Sequence, residues 1–107
     1  MIPEISPEEY LARRAAGADM TLLDVREDWE TQLAPVPVPV VHIPMGRIPE
    51  RVAELDPEKE TVVICRSGGR SLQVANYLAA RGFKSVANLA GGILAWSRDV
   101  DPTIPQY

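Results

Sequence analysis

The chain has 107 residues, with 15 acidic and 11 basic side chains for a net charge of −4, and 46% of its residues are hydrophobic. That length holds one core and is too short for two ordinary domains, so residues 1–107 are read as a single domain. The acidic balance excludes a nucleic-acid or anionic-membrane partner, each of which needs a basic footprint, and no apolar run approaches a membrane span.

In chain order, Ser6, Pro7 and Glu9 form a capping box that opens a short helix stopping at Gly17. The run "MTLLDVRE" is apolar and ends in charge, the mark of a buried strand whose polar end emerges at the rim of a sheet. "REDWETQL" holds one helical turn from Asp28, and "VPVVHIPM" reads as a strand between prolines that begins near Val40. "MGRIPERVAELDPEK" is a short amphipathic helix with Pro49 near its start, closed before Pro57 because proline disfavours helix for its predecessor. "ETVVIC" is the most strand-like run. From Arg70 the period changes: Leu72, Val74, Ala75, Leu78 and Ala79 share a helical face, and Gly82 follows as the cap. "KSVANLAGG" is a strand entering a double-glycine turn, and "GGILAWSRDV" is a final short helix. Strands alternating with helices give an α/β fold with parallel pairing.

The start, "MIPEISPEEY", carries no cationic and then apolar leader, so a cytoplasmic location is expected. With one cysteine and one histidine there is neither an internal disulfide nor a Cys/His metal cluster to expect. Cys65 stands where the apolar strand stops and "RSGGR" begins. In parallel sheets, ligands bind beyond the strands' C-terminal ends, where helix N-termini present unpaired N–H groups and the positive end of the dipole. Gly68 and Gly69 let the amides curve inward as an anion nest, and Arg66 and Arg70 add full charges. All three features favour a thiolate at Cys65, a nucleophile that needs no histidine base.

The motifs "LLDVREDWE", "VHIPMG", "CRSGGRS" and "NLAGGILAW" occur in that order between Ile5 and Trp96, and together they resemble a rhodanese domain. The resemblance implies a five-stranded parallel sheet with helices on both faces, the cysteine loop at its edge, a core over residues 5–97 and a tail over 98–107. It also implies a sulfurtransferase without a cofactor. Cys65 would take a sulfane sulfur from a small anionic donor such as thiosulfate, become a persulfide, and pass the sulfur to a thiol, cyanide or protein acceptor. The amides of Arg66, Ser67, Gly68, Gly69, Arg70 and Ser71 would form the cradle, with the guanidinium groups of Arg66 and Arg70 holding the donor's sulfonate.

A related set of cell-cycle phosphatases places five residues between cysteine and arginine, whereas four lie between Cys65 and Arg70, a tighter ring suited to one added sulfur atom. The tail "RDVDPTIPQY" is similar to the ends of rhodanese domains fused to enzymes that adenylate ubiquitin-like sulfur carriers, which implies an alternative relay to such a carrier or to tRNA or cofactor thiolation. A non-catalytic binding or redox-sensing module is the reading from another class.

Behind the loop, Asp24 and Arg26 are read as a salt-bridged pair fixing the strand end, with an acid and an anion anchor as the other reading. His42 is read as structural, its ring bonded to backbone, and Trp96 as packing. Trp29 is likewise read as a core or half-exposed packing residue, with a place close enough to the mouth of the site to contact a substrate as the other reading. Between Trp29 and His42 the chain departs from the family's usual short Gly-His turn, which leaves the path of Val36–Val40 open.

Overall fold

The apolar run from Val62 to Cys65 has no polar alternation, so a strand made of it must be covered on both faces. In the computed structural model, which describes residues 1–107, the elements are β1 (Glu4–Ile5), α1 (Pro7–Ala15), β2 (Met20–Asp24), α2 (Asp28–Leu33), β3 (Val41–His42), α3 (Ile48–Arg51), β4 (Glu60–Ile64), α4 (Gly69–Ala80), β5 (Val86–Leu89) and α5 (Gly92–Asp99). The strands form one five-stranded sheet in the order β1-β5-β4-β2-β3, with every pair parallel. The expected α/β class and five-stranded parallel sheet are therefore present. The cysteine loop is not at a lateral edge of that sheet: β4 is its central strand, and the loop leaves the C-terminal end.

Successive residues of β4 feed opposite layers. Val62 and Ile64 pack with Tyr10, Leu22, Ile93 and Trp96 on the α1/α5 side, while Val63 and Cys65 pack with Leu23, Ile43, Val74 and Leu78 on the α4 side. Each such side chain taken from water contributes about 1.5–3 kcal/mol. No helix is long and apolar enough to cross a membrane.

Proline shortens two expected elements. Pro39 and Pro44 have no N–H for a ladder and bound β3, which pairs with β2 only through Leu23↔Val41 and Asp24↔His42. Pro49 is tolerated only in a first helical turn, so the single helix expected there becomes one α turn between two 3₁₀ turns, Met45–Arg47 and Val52–Glu54. One strand had no pattern to announce it. β1 is two residues long and exists through its partner, with the Asn88 N–H donating to the Pro3 carbonyl at 2.9 Å and that of Ala90 to Ile5 at 2.8 Å.

Sheet register assembles the site. Asp24 lies opposite Ile64 and Val63 opposite Asn88, so β2, β4 and β5 finish level with one another. Arg26, Cys65 and Asn88 thus meet at the same rim.

Candidate active site

β4 ends at Ile64 and α4 begins at Gly69, so Cys65 opens a short turn. Gly68 closes that turn at φ 110°, a left-handed conformation that disfavours any residue with a Cβ. The turn aims the Gly68 N–H at Cys65 Sγ, 3.1 Å away, and the first turn of α4 brings the Ser71 hydroxyl to 3.2 Å. The amides of Ser67 and Ser71 face the same sulfur. Cys65 is 1% exposed, so the sulfur sits at the base of this ring and not on an open surface. Burial pushes the thiol up, but the Ser71 hydroxyl and the amides of Ser71, Gly68 and Ser67 outweigh it and hold Cys65 below the ordinary thiol value. The donors that favour ionisation of this sulfur are thus N–H and O–H groups of the loop and the first turn of α4.

The two loop arginines point elsewhere. Arg70 donates from Nη1 and Nη2 to the two carboxylate oxygens of Glu30, each at 2.7 Å. Arg66 donates from Nε to the Tyr107 carbonyl, and its guanidinium lies over the Tyr107 ring, 5.3 Å from the centroid.

Glu30 is buried and accepts two further bonds, from the Glu27 N–H at 2.9 Å and the Tyr107 hydroxyl at 2.8 Å. Arg70 is the main reason its carboxyl is lowered to about 2, against the opposing effect of burial. Tyr107 in turn accepts from Arg26 Nη1 at 3.0 Å and meets exposed Trp29 edge-on, with ring centroids 5.7 Å apart.

Asp24 and Arg26 form the strut read from the sequence. Arg26 is fully buried, with Nη2 and Nε donating to Asp24 at 2.8 and 3.0 Å and Nη2 also reaching the Ala34 carbonyl at 2.9 Å. The His42 ring nitrogen Nε2 lies 2.7 Å from the Arg26 carbonyl oxygen, as a structural histidine would. Trp96 is buried against Tyr10.

The double glycine of "NLAGG" buttresses the loop from behind. Gly92 sits at φ 61°, and a Cβ there would lie 2.4 Å from the Arg66 carbonyl oxygen and 2.5 Å from that of Cys65. This close approach lets the first amides of α5 bind the same carbonyls, Ile93 to Cys65 at 2.9 Å and Leu94 to Arg66 at 3.1 Å. With the carbonyls held on α5, the loop's N–H groups are left to face the sulfur.

Three residues escaped the sequence reading: Glu30, Asn88 and Tyr107. Glu30 had a readable signal, its spacing of three from Glu27 at a helix start. Asn88 is a buried polar residue in the apolar run "VANL", with Nδ2 donating to Glu4 at 2.9 Å and to the Gly68 carbonyl at 3.1 Å, and Oδ1 beside the Ser71 hydroxyl. Tyr107 had none, since its contacts lie up to 81 residues away in sequence.

The chain matches the Rhodanese-like domain family over residues 6–99. It is 38% identical over 104 residues to a sulfurtransferase of Allochromatium vinosum, a likeness covering 97% of this chain and 96% of that protein. With Rhodanese-like/PpiC domain-containing protein 12, chloroplastic, of Arabidopsis thaliana it shares 49% identity over 90 residues, 80% of this chain and 30% of that protein. The adenylyltransferase and sulfurtransferase MOCS3-1 of Zea mays is 35% identical over 117 residues, all of this chain and 25% of its own length. Among solved structures, a rhodanese-like domain protein from Staphylococcus aureus superimposes with a TM-score of 0.82 at 29% identity, over 89% of this chain and 91% of that one. The domain thus spans nearly all of some relatives and a third or less of others. The family match across most of the chain and the end-to-end likeness to a sulfurtransferase show that this chain belongs to the rhodanese-like domain family.

Proposed function

We propose that the chain moves a sulfane sulfur from thiosulfate or another donor to a thiol, cyanide or protein acceptor through a persulfide on Cys65. The Cys65 thiolate attacks the outer sulfur of the donor, the sulfur–sulfur bond breaks, and the donor remnant leaves with the bonding pair. With thiosulfate that remnant is sulfite, which needs no proton from an acid. The transferred sulfur, now the negative end of the persulfide, rests among the Ser67, Gly68 and Ser71 donors. An acceptor thiolate then attacks this outer sulfur and returns Cys65 as thiolate. Every step uses groups of this chain, and the reading assigns no cofactor and no metal.

The observation that carries this reading is the ring of donors on a buried sulfur, with the Gly68 N–H at 3.1 Å from Sγ. A cysteine that only filled the core would have no such ring. Incubation with a sulfane donor under non-reducing conditions should add the mass of one sulfur atom to the intact chain, and Cys65→Ser should abolish the gain. An unmodified mass with every donor would leave a binding or redox-sensing module instead.

A relay to a carrier protein is the second reading. It is supported by the likeness over the whole chain to a relative whose name joins adenylyltransferase to sulfurtransferase, and by an exposed Trp29 at the rim of the site. Transfer of labelled sulfur from persulfidated Cys65 to a ubiquitin-like carrier, measured against transfer to cyanide, tests it. Equal or slower transfer to the carrier removes this reading.

A further inference from the structure

Thiosulfate brings two negative charges to a sulfur that is itself an anion, so a site built for it needs cations free to meet them. The side chains around Cys65 are arranged otherwise. Arg70 has both Nη atoms on Glu30, and Arg26 is buried on Asp24. Arg66 pairs with no Asp or Glu side chain, and Tyr107 occupies its Nε with a main-chain oxygen and one face of its guanidinium with its ring. The three guanidinium groups are thus offset by Asp24, Glu30 and the thiolate, which leaves the site near neutrality before a donor arrives. Along the adjoining rim, a cleft of about 570 Å³ sets Glu27 and Asp28, at the start of α2, against a single cation, Arg47.

We propose that Glu30 sets donor selectivity: by neutralising Arg70 it fits the site to receive sulfur from persulfides, which carry at most one negative charge, in preference to the thiosulfate dianion. This rests on the persulfide reading of Cys65 and narrows its donor. The step balances without an oxidant or reductant. Cys65 thiolate attacks the terminal sulfur of R–S–SH, the sulfur–sulfur bond breaks, R–S⁻ leaves with the bonding pair, and the proton stays on the transferred sulfur as Cys65–S–SH. Glu30 touches neither donor nor sulfur and acts through Arg70, so it is a positioning residue.

The test follows single-turnover loading of the full chain by intact mass. Its donors are thiosulfate, the persulfide of N-acetylcysteine amide, and the same persulfide group on a short cysteine peptide. In the unmodified chain, thiosulfate loading should speed up as sodium chloride is raised, because like charges are being screened, while loading by the uncharged-backbone persulfide stays nearly flat. In Glu30→Gln the ratio of thiosulfate to persulfide loading should rise about tenfold or more, the scale on which local charge focuses an anion. Thiosulfate loading that slows with salt, or a ratio unmoved in Glu30→Gln, overturns the proposal. The salt series needs no variant, so it decides whether the site repels the dianion even if Glu30→Gln folds poorly. Loading by the free persulfide assigns a small-molecule source and loading by the peptide alone a protein source, and either supports the class. If no donor loads Cys65, sulfur carriage itself fails, a result distinct from loading with the wrong salt dependence.

Discussion

The Ser71 hydroxyl has one proton and two acceptors in reach, Cys65 Sγ and Asn88 Oδ1. Asn88 cannot turn its amide to resolve the competition, because Nδ2 is already committed to the Glu4 carboxylate and the Gly68 carbonyl. With a neutral thiol, the proton is best placed on Asn88. With a thiolate it is best placed on sulfur, since a hydrogen bond to a charged group is the stronger one. The hydroxyl therefore stabilises the ionised sulfur selectively, which is the condition for lowering a pKa. Ser71→Ala should raise the Cys65 pKa, because the thiolate then loses one hydrogen bond to a charged group, worth about 1.5–3 kcal/mol. The pH profile of alkylation by iodoacetamide reads this directly. An unmoved profile would leave the peptide amides alone responsible.

At the scale of elements, the Arg70–Glu30 pair ties the first turn of α4 to α2 across the mouth of the site. Breaking it from one side leaves a buried charge unpaired, so its effect on stability depends on pH. The folded Glu30 titrates at about 2, below its ordinary 4.5. A depressed carboxyl contributes its full stability above the unfolded value and loses it as pH falls through the folded one. The shift corresponds to about 3 kcal/mol, lost between about pH 5 and pH 2. Urea midpoints of the unmodified chain and Glu30→Gln should therefore converge as the solution is acidified through that window. A constant gap between them would show that Glu30 contributes nothing through its charge. Secondary structure around this tie was legible only where it is local. α4 showed its period from Arg70 onward, and the turn before it declared itself by two glycines and two arginines about one cysteine. The amide ring could be inferred, because a strand end, a left-handed glycine and a helix start lie within seven residues of sequence.

At the scale of the whole molecule, the features hidden from the sequence all join distant segments. β1 is a strand only because β5 lies beside it, and Arg70 is paired because α2 carries Glu30 across from residue 30. The tail is the largest case. The family resemblance sets residues 98–107 apart as a tail, and the structure buries Ile104 of that tail with Ile93 and Trp96, with Ser97 Oγ donating to its carbonyl at 2.6 Å. That anchorage carries the chain back over the sheet rim to Tyr107, whose hydroxyl meets Arg26 and Glu30 and whose ring meets Arg66. Core and site are thus coupled through one apolar side chain. Ile104→Ala removes its burial but leaves every polar group of the network in place, so the first loss is in packing, about 2–5 kcal/mol for a large side chain cut to alanine. The expected result is a lower urea midpoint with an unchanged slope. Quenching of the exposed Trp29 by acrylamide should also rise below the transition, as the tail and the Tyr107 ring leave it. If the midpoint holds, the tail is a surface segment without structural weight; if it falls while Trp29 quenching stays constant, Tyr107 keeps its place without Ile104 and the coupling is absent.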